Sequence, residues 1–167
     1  YLMAVPKEKP PWLRRRIPAP GRNATVVAAV KGRGLHTVCE EAACPNIGEC
    51  WEAGTATFMI LGDVCTRACK YCGVAHGMPN QLDEEEPTRV AEAVEAMQLE
   101  HVVVTSVNRD ELPDGGARIY AELIRQVHQR VPECSVEVLI PDFKGDEDAL
   151  RLVVEAKPEI LGHNLET

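Results

Sequence analysis

ATFMILGDVCTRACKYC, residues 56 to 72, passes from a nearly continuous apolar run into three cysteines at i, i+4 and i+7. The apolar part, residues 56 to 63, has the length of a strand and the composition of one buried on both faces. Three similar runs follow, HVVVTSV (101–107), SVEVLIP (135–141) and EILGHN (159–164). Between them stand stretches of helical periodicity. TRVAEAVEAMQL (88–99) repeats its apolar side chains at Val90, Val94 and Met97, ARIYAELIRQVHQRV (117–131) does so at Ile119, Leu123 and Val127, and DEDALRLVVEA (146–156) is the third. This alternation predicts an α/β fold of about four parallel β/α units with right-handed crossovers. Such units form either a small open sheet or the first part of a (β/α) barrel. In barrels the chemistry sits on loops at the carboxyl ends of the strands, and Cys65, Cys69 and Cys72 begin just past the end of the first one.

At 167 residues, 45% apolar and 26% charged, the chain has the composition of one globular unit rather than a disordered one. No run approaches the roughly 18 apolar residues of a membrane span, and the chain does not open on a secretory signal. Residues 1–36 hold eight Lys or Arg against one Glu, so the remainder carries ten cationic against 25 acidic residues. An acidic body of this kind argues against a nucleic-acid partner. The basic segment KEKPPWLRRRIP reads as a solvated arm over that body or as a patch for an acidic partner. Seven cysteines, an odd number without a signal, point to metal or redox chemistry in a reducing compartment, the cytoplasm or an organelle matrix.

Upstream, Pro and Arg in residues 1–25 predict an extended arm packed through Trp12, Leu13 and Ile17, and residues 26–36 predict one short helix. Next comes CEEAACPNIGEC (39–50), a second triad of Cys39, Cys44 and Cys50 in which Pro45, Asn46 and Gly48 call for turns. Residues 1–54 thus read as an N-terminal extension and 55–167 as the β/α body. No Gly-rich phosphate loop follows any strand, and PDGGA is only a turn before a helix.

Thiolates are soft anionic ligands suited to zinc or iron-sulfur clusters. A helical stripe of buried cysteines would explain one triad but not two of different spacing. Zinc would need His76 to complete Cys65, Cys69 and Cys72, and His36 to complete Cys39, Cys44 and Cys50, giving two closed sites in a binding module. Two four-iron clusters need no further cysteine, because three thiolates leave one iron of each cubane open. Around the second triad, Arg67 and Lys70 are placed to offset the anionic charge, and Tyr71 offers a flat face to an aromatic group. Cys134, outside both triads, reads as a buried core thiol.

Cys65-x3-Cys69-x-Tyr71-Cys72 resembles the cluster loop of the radical S-adenosylmethionine superfamily. Cys39-x4-Cys44-x5-Cys50 within VCEEAACPNIGECW is similar to the auxiliary-cluster motif of the lipoyl synthase family, and TSVNRDELPDGGA, PDFKGD and HNLET resemble that family's text in its order. The resemblance implies a partial radical S-adenosylmethionine barrel, with Cys65, Cys69 and Cys72 as catalytic cluster ligands and Cys39, Cys44 and Cys50 as ligands of a second [4Fe-4S] cluster. Its implied reaction is sulfur insertion at C6 and C8 of a protein-bound octanoyl group. S-adenosylmethionine, bound at the open iron, would yield the 5'-deoxyadenosyl radical, and the auxiliary cluster would give up its sulfides. A zinc-binding module, or another radical enzyme with an auxiliary cluster, is the alternative.

The resemblance also implies cofactor contacts at Tyr71, Thr105, Ser106, Asn164 and Glu166, and a hold on the substrate peptide by Arg109 and Asp110 in NRDELPDGG. Implied partners are an octanoylated lipoyl carrier domain or glycine cleavage carrier protein, an electron donor such as ferredoxin or flavodoxin, and an iron-sulfur cluster carrier. The family's later strands and its C-terminal RSSY-like motif are not in these 167 residues. The chain accordingly reads as an incomplete copy with little or no lipoyl-forming activity alone and an exposed strand edge.

Overall fold

A computed structural model describes residues 32, 34–42 and 44–165. The predicted arm and all but the end of the 26–36 helix lie outside these residues. The four apolar runs are strands β2 (Thr55–Ile60), β5 (His101–Ser106), β6 (Ser135–Ile140) and β7 (Ile160–His163), in the sheet order β1-β2-β5-β6-β7. All four run parallel, in registers such as Thr55↔His101, His101↔Ser135 and Glu137↔Ile160. This is the open, mostly parallel α/β sheet of a partial barrel.

His36 departs from its expected helix. With Thr37 it forms β1 (His36–Thr37), an antiparallel edge strand whose pairs are His36↔Met59 and Thr37↔Phe58. The expected loop around the first triad is also more regular than its turn residues suggest. It contains the short helices α1 (Val38–Glu41) and α2 (Ile47–Glu52). The Thr37 hydroxyl caps α1 by accepting from Glu40 N at 3.3 Å, which satisfies one of the orphan donors of the first turn.

Three crossover helices stand where the periodicity places them, α3 (Glu86–Met97), α4 (Ala117–Arg130) and α5 (Glu147–Glu155). Pro87 suits the first turn of α3, since its missing N–H would have no partner there. In α4, Ile119, Tyr120, Leu123, Ile124 and Val127 share the buried face. Asp146 caps α5, its carboxylate accepting from Asp148 N and Ala149 N at 2.9 and 3.1 Å.

The helices cover one face of the sheet. Ala56, Phe58, Val102, Val104, Val136 and Val138 are buried beneath them, each large side chain contributing about 1.5–3 kcal/mol of transfer free energy. The opposite face does not bear out burial on both sides. Thr57, Val103, Thr105, Glu137 and Leu139 are only half-buried, so the strands alternate and the second face lines an open concavity. Leu35 and Trp51 join the same core as the strands, which ties residues 34–54 to the body.

Candidate metal and cofactor site

Cys65 ends a two-residue strand, β3 (Val64–Cys65), that pairs in parallel with β4 (Ala75–His76) as a separate small sheet. The loop between them carries Cys69 and Cys72 in one turn, Cys72 N donating to Cys69 O at 3.1 Å. The register sets His76 beside Cys65. The Cys65 thiol accepts from two backbone amides, Arg67 N at 3.4 Å and Asn108 N at 3.3 Å. Amides aimed at sulfur fix its position at the strand ends. Cys65 and Cys69 are half-buried, and Cys72, Lys70 and Tyr71 are exposed, Tyr71 at 69%. In the first triad Cys39 lies in α1, Cys50 in α2 and Cys44 between them, all half-buried free thiols.

Arg67 does not offset the thiolates as its position in CTRAC suggests. Its Nε and Nη2 donate to Asp110 Oδ2 and Oδ1, both at 2.8 Å. Nη1 and Nη2 donate to Asp142 Oδ2 and Oδ1, both at 2.7 Å. With its amide oxygen turned toward the guanidinium, Asn108 also accepts from Nε and Nη1 at 2.9 and 3.1 Å. These hydrogen bonds from Arg67 hold the carboxyls of both Asp110 and Asp142 below the usual carboxylate range. Two carboxylates on one guanidinium leave the group net negative, so its charge is spent locally.

Arg109 is likewise corrected from a peptide contact to a buried brace. It is 5% exposed and pairs through Nε with Glu111. Its Nη1 and Nη2 donate to the carbonyls of Leu61 and Asn80, both at 2.8 Å. Those carbonyls flank the cysteine ribbon. Leu61 has a left-handed backbone, φ 69°, a conformation that costs of order 1–3 kcal/mol for a residue with a side chain. Its N–H donates to the buried Glu86 carboxylate at 2.7 Å, while its side chain packs onto Gly116.

Beside the cysteine loop the carboxyl ends of β5, β6 and β7 enclose a cleft of about 520 Å³. It is lined by Thr105, Ser106 and Asn164, three of the expected cofactor residues, together with Arg67, Asn108 and His163. Thr105 Oγ1 donates to Leu139 O at 3.3 Å. The buried Ser106 hydroxyl lies beside the phenol of the fully buried Tyr120. A strand-end cleft lined by Thr105, Asn108, His163 and Asn164 beside Leu139 and Ile140 fits a ligand with both polar and apolar parts. Tyr71 is not among the cleft's lining residues, and Glu166 lies outside the described residues. His163, which the sequence reading passed over, follows from the same logic as Asn164. It ends β7, and its Nδ1 stands 3.0 Å from Ile140 O. Cys134 is 2% exposed, as expected of a core thiol.

Among the described residues no three Cys, His, Asp or Glu side chains converge on a common point as around a single ion. No helix among them is long and apolar enough to cross a membrane.

A family model described as "Radical SAM superfamily" matches residues 59–167. A lipoyl synthase of Rubrobacter xylanophilus is 57% identical over 159 residues, 95% of this chain and 50% of that protein. One of Chloroflexus aggregans is 55% identical over 159 residues, covering 95% and 52%. Another, of Koribacter versatilis, is 52% identical over 162 residues, covering 97% and 53%. The chain therefore spans about half the length of the curated relatives it matches. Superfamily membership implies S-adenosylmethionine and a four-iron cluster as the chemistry such a sheet serves, and it fits a cysteine loop set beside a strand-end cleft. The chain belongs to the radical S-adenosylmethionine superfamily, and the members it is similar to are lipoyl synthases.

Proposed function

We propose that Cys65, Cys69 and Cys72 hold a four-iron cluster, and that S-adenosylmethionine lies in the adjoining cleft against Thr105, Ser106 and Asn164. The observation that carries this is the adjacency of the cysteine loop to a roomy cleft of mixed polar and apolar lining at the carboxyl ends of parallel strands, where β/α folds place their chemistry. The bound cluster would supply the electron that cleaves S-adenosylmethionine, chemistry the side chains cannot perform themselves. What the chain supplies is geometry. Amides of Arg67 and Asn108 hold the Cys65 sulfur in place, and the Asn164 amide lines the cleft where polar groups of the ligand would lie. Tyr71 and Glu166 belong to the same proposed set of contacts.

The further assignment follows the lipoyl synthase relatives. Residues 1–54 would be an extension carrying a second cluster on Cys39, Cys44 and Cys50, and residues 55–167 the first part of the barrel. In the whole protein the reaction would be sulfur insertion into an octanoyl group on a carrier domain. A ferredoxin or flavodoxin would donate electrons, a cluster carrier would restore the auxiliary site, and the cytoplasm would be the setting. Anaerobic purification followed by iron, sulfide and zinc analysis tests the ligand sets. About eight irons and eight sulfides per chain are expected, four per cubane, whereas two zinc ions without sulfide would overturn both clusters. Incubation with reductant, S-adenosylmethionine and an octanoylated peptide then tests the reaction, a mass gain from sulfur being the expected product and its absence from the whole protein the contrary one.

A further inference from the structure

Apart from the Arg67–Asp142 pair past β6, the ties between the cysteine loop and the main sheet described above fall on three consecutive residues just past β5. Asn108 reaches its start, through N–H to the Cys65 thiol at 3.3 Å and through its carbonyl, which accepts from Thr66 N at 3.0 Å. Asp110 holds the same end, through the two-point pair with Arg67 and through its N–H to the Thr66 hydroxyl at 3.1 Å. Arg109 spans its two stems, since Leu61 and Asn80 stand on either side of the β3–β4 ribbon and one guanidinium binds both carbonyls. A planar guanidinium can bridge two carbonyls in fixed directions, whereas an ammonium cannot reproduce that fork.

We infer that Asn108, Arg109 and Asp110 form a positioning segment that sets the cysteine loop against the strand ends, rather than a grip on the substrate peptide. This rests on the reading of Cys65, Cys69 and Cys72 as cluster ligands. A peptide grip needs groups that are accessible and uncommitted. Arg109 is nearly fully buried, and both carboxylate oxygens of Asp110 are bound to Arg67. A short run of sequence holding the Cys65 end and both stems of the loop leaves that end few ways to shift without moving the end of β5. Residues that orient metal ligands typically change metal retention by about 10–100-fold when replaced.

The test uses the full chain, reconstituted anaerobically with iron and sulfide. Iron loss to a chelator, the electron paramagnetic resonance (EPR) spectrum of the reduced protein, and binding of an octanoylated peptide are measured for Arg109→Lys, Asp110→Asn and the control Arg118→Gln. Arg118 pairs with Glu84 on the surface, away from the loop. Both loop variants are expected to lose iron about tenfold faster with a broadened spectrum, while the control matches the wild type. If Arg109→Lys does not fold, Asp110→Asn decides alone, its side chain being 28% exposed. Wild-type iron retention and line shape in the folded loop variants would overturn the positioning role, as would a loss confined to peptide binding. A wild-type chain that takes up no cluster would instead overturn the proposed function, and the positioning role with it.

Discussion

Cys65 and Cys134 show how one residue type divides between chemistry and packing. The Cys65 thiol receives two backbone amides at the mouth of the strands. Cys134 lies in the core, and burial pushes its thiol up to about 11. At pH 8 such a thiol is ionised in roughly one molecule in a thousand, and buried thiols of this kind are inert. Alkylation of the metal-free protein at pH 8, read by peptide mass mapping, should therefore leave Cys134 unmodified while Cys72 reacts first, and equal labelling of the two would contradict this. Cys65→Ala should abolish iron binding at its triad, and Cys134→Ala should leave it intact. Local spacing picked out the six clustered thiols as two groups, and the family resemblance pointed to Thr105, Ser106 and Asn164, which line the strand-end cleft. Arg67 was not, because its partners Asp110 and Asp142 lie 43 and 75 residues onward. Nothing in CTRAC announces a cation already claimed by distant carboxylates, nor does NRDEL announce that its arginine turns inward.

At the scale of elements, the turn after β2 is the joint on which the cysteine loop hangs. Gly116 has φ +91°, and a Cβ there would stand 2.4 Å from Leu61 Cδ1. Gly116→Ala should then cost about 1–3 kcal/mol and shift the Leu61 turn, seen as a lower urea midpoint and a lower iron content in the same sample. Glu86 is the other side of that joint. Burial raises its carboxyl above the ordinary value, so its ionised form weighs against folding, most at pH above the raised value and least below the unfolded value near about 4.3. Glu86→Gln keeps an acceptor for Leu61 N without the charge. Its stability relative to the wild type should improve as pH rises from 4 toward 8, and a difference independent of pH would contradict this. Glu86→Ala, which strands the Leu61 amide, should cost about 1–3 kcal/mol. Helices α3 to α5 were legible because their apolar period survives in any context. The strands were legible as strands but not in their faces. Val103 and Leu139 extend apolar runs in sequence yet sit with Thr105 and Glu137 on the half-open side, and only the pairing register reveals which parity faces the helices.

For the whole molecule, the feature that follows from an open arc is its β7 side. β7 is the edge of the described sheet, and Ile160 and Leu161 are 47% and 39% exposed. Leu150, Leu152 and Val154 of α5 add further exposed apolar surface. A strand edge left open among the described residues, with apolar neighbours, can template association of this 167-residue chain. Sedimentation velocity should show concentration-dependent self-association that Ile160→Lys reduces, and a variant associating as strongly as the wild type would contradict the role of that edge. The cleft for the proposed cofactor opens at the carboxyl ends of the same strands, beside the cysteine loop. The most direct test is the EPR spectrum of the reconstituted, reduced chain recorded with and without S-adenosylmethionine. A four-iron signal that changes on adding the cofactor, and loses that response in Cys65→Ala, is the predicted result. A signal unmoved by S-adenosylmethionine, or no iron-sulfur signal from the wild-type chain, would contradict it.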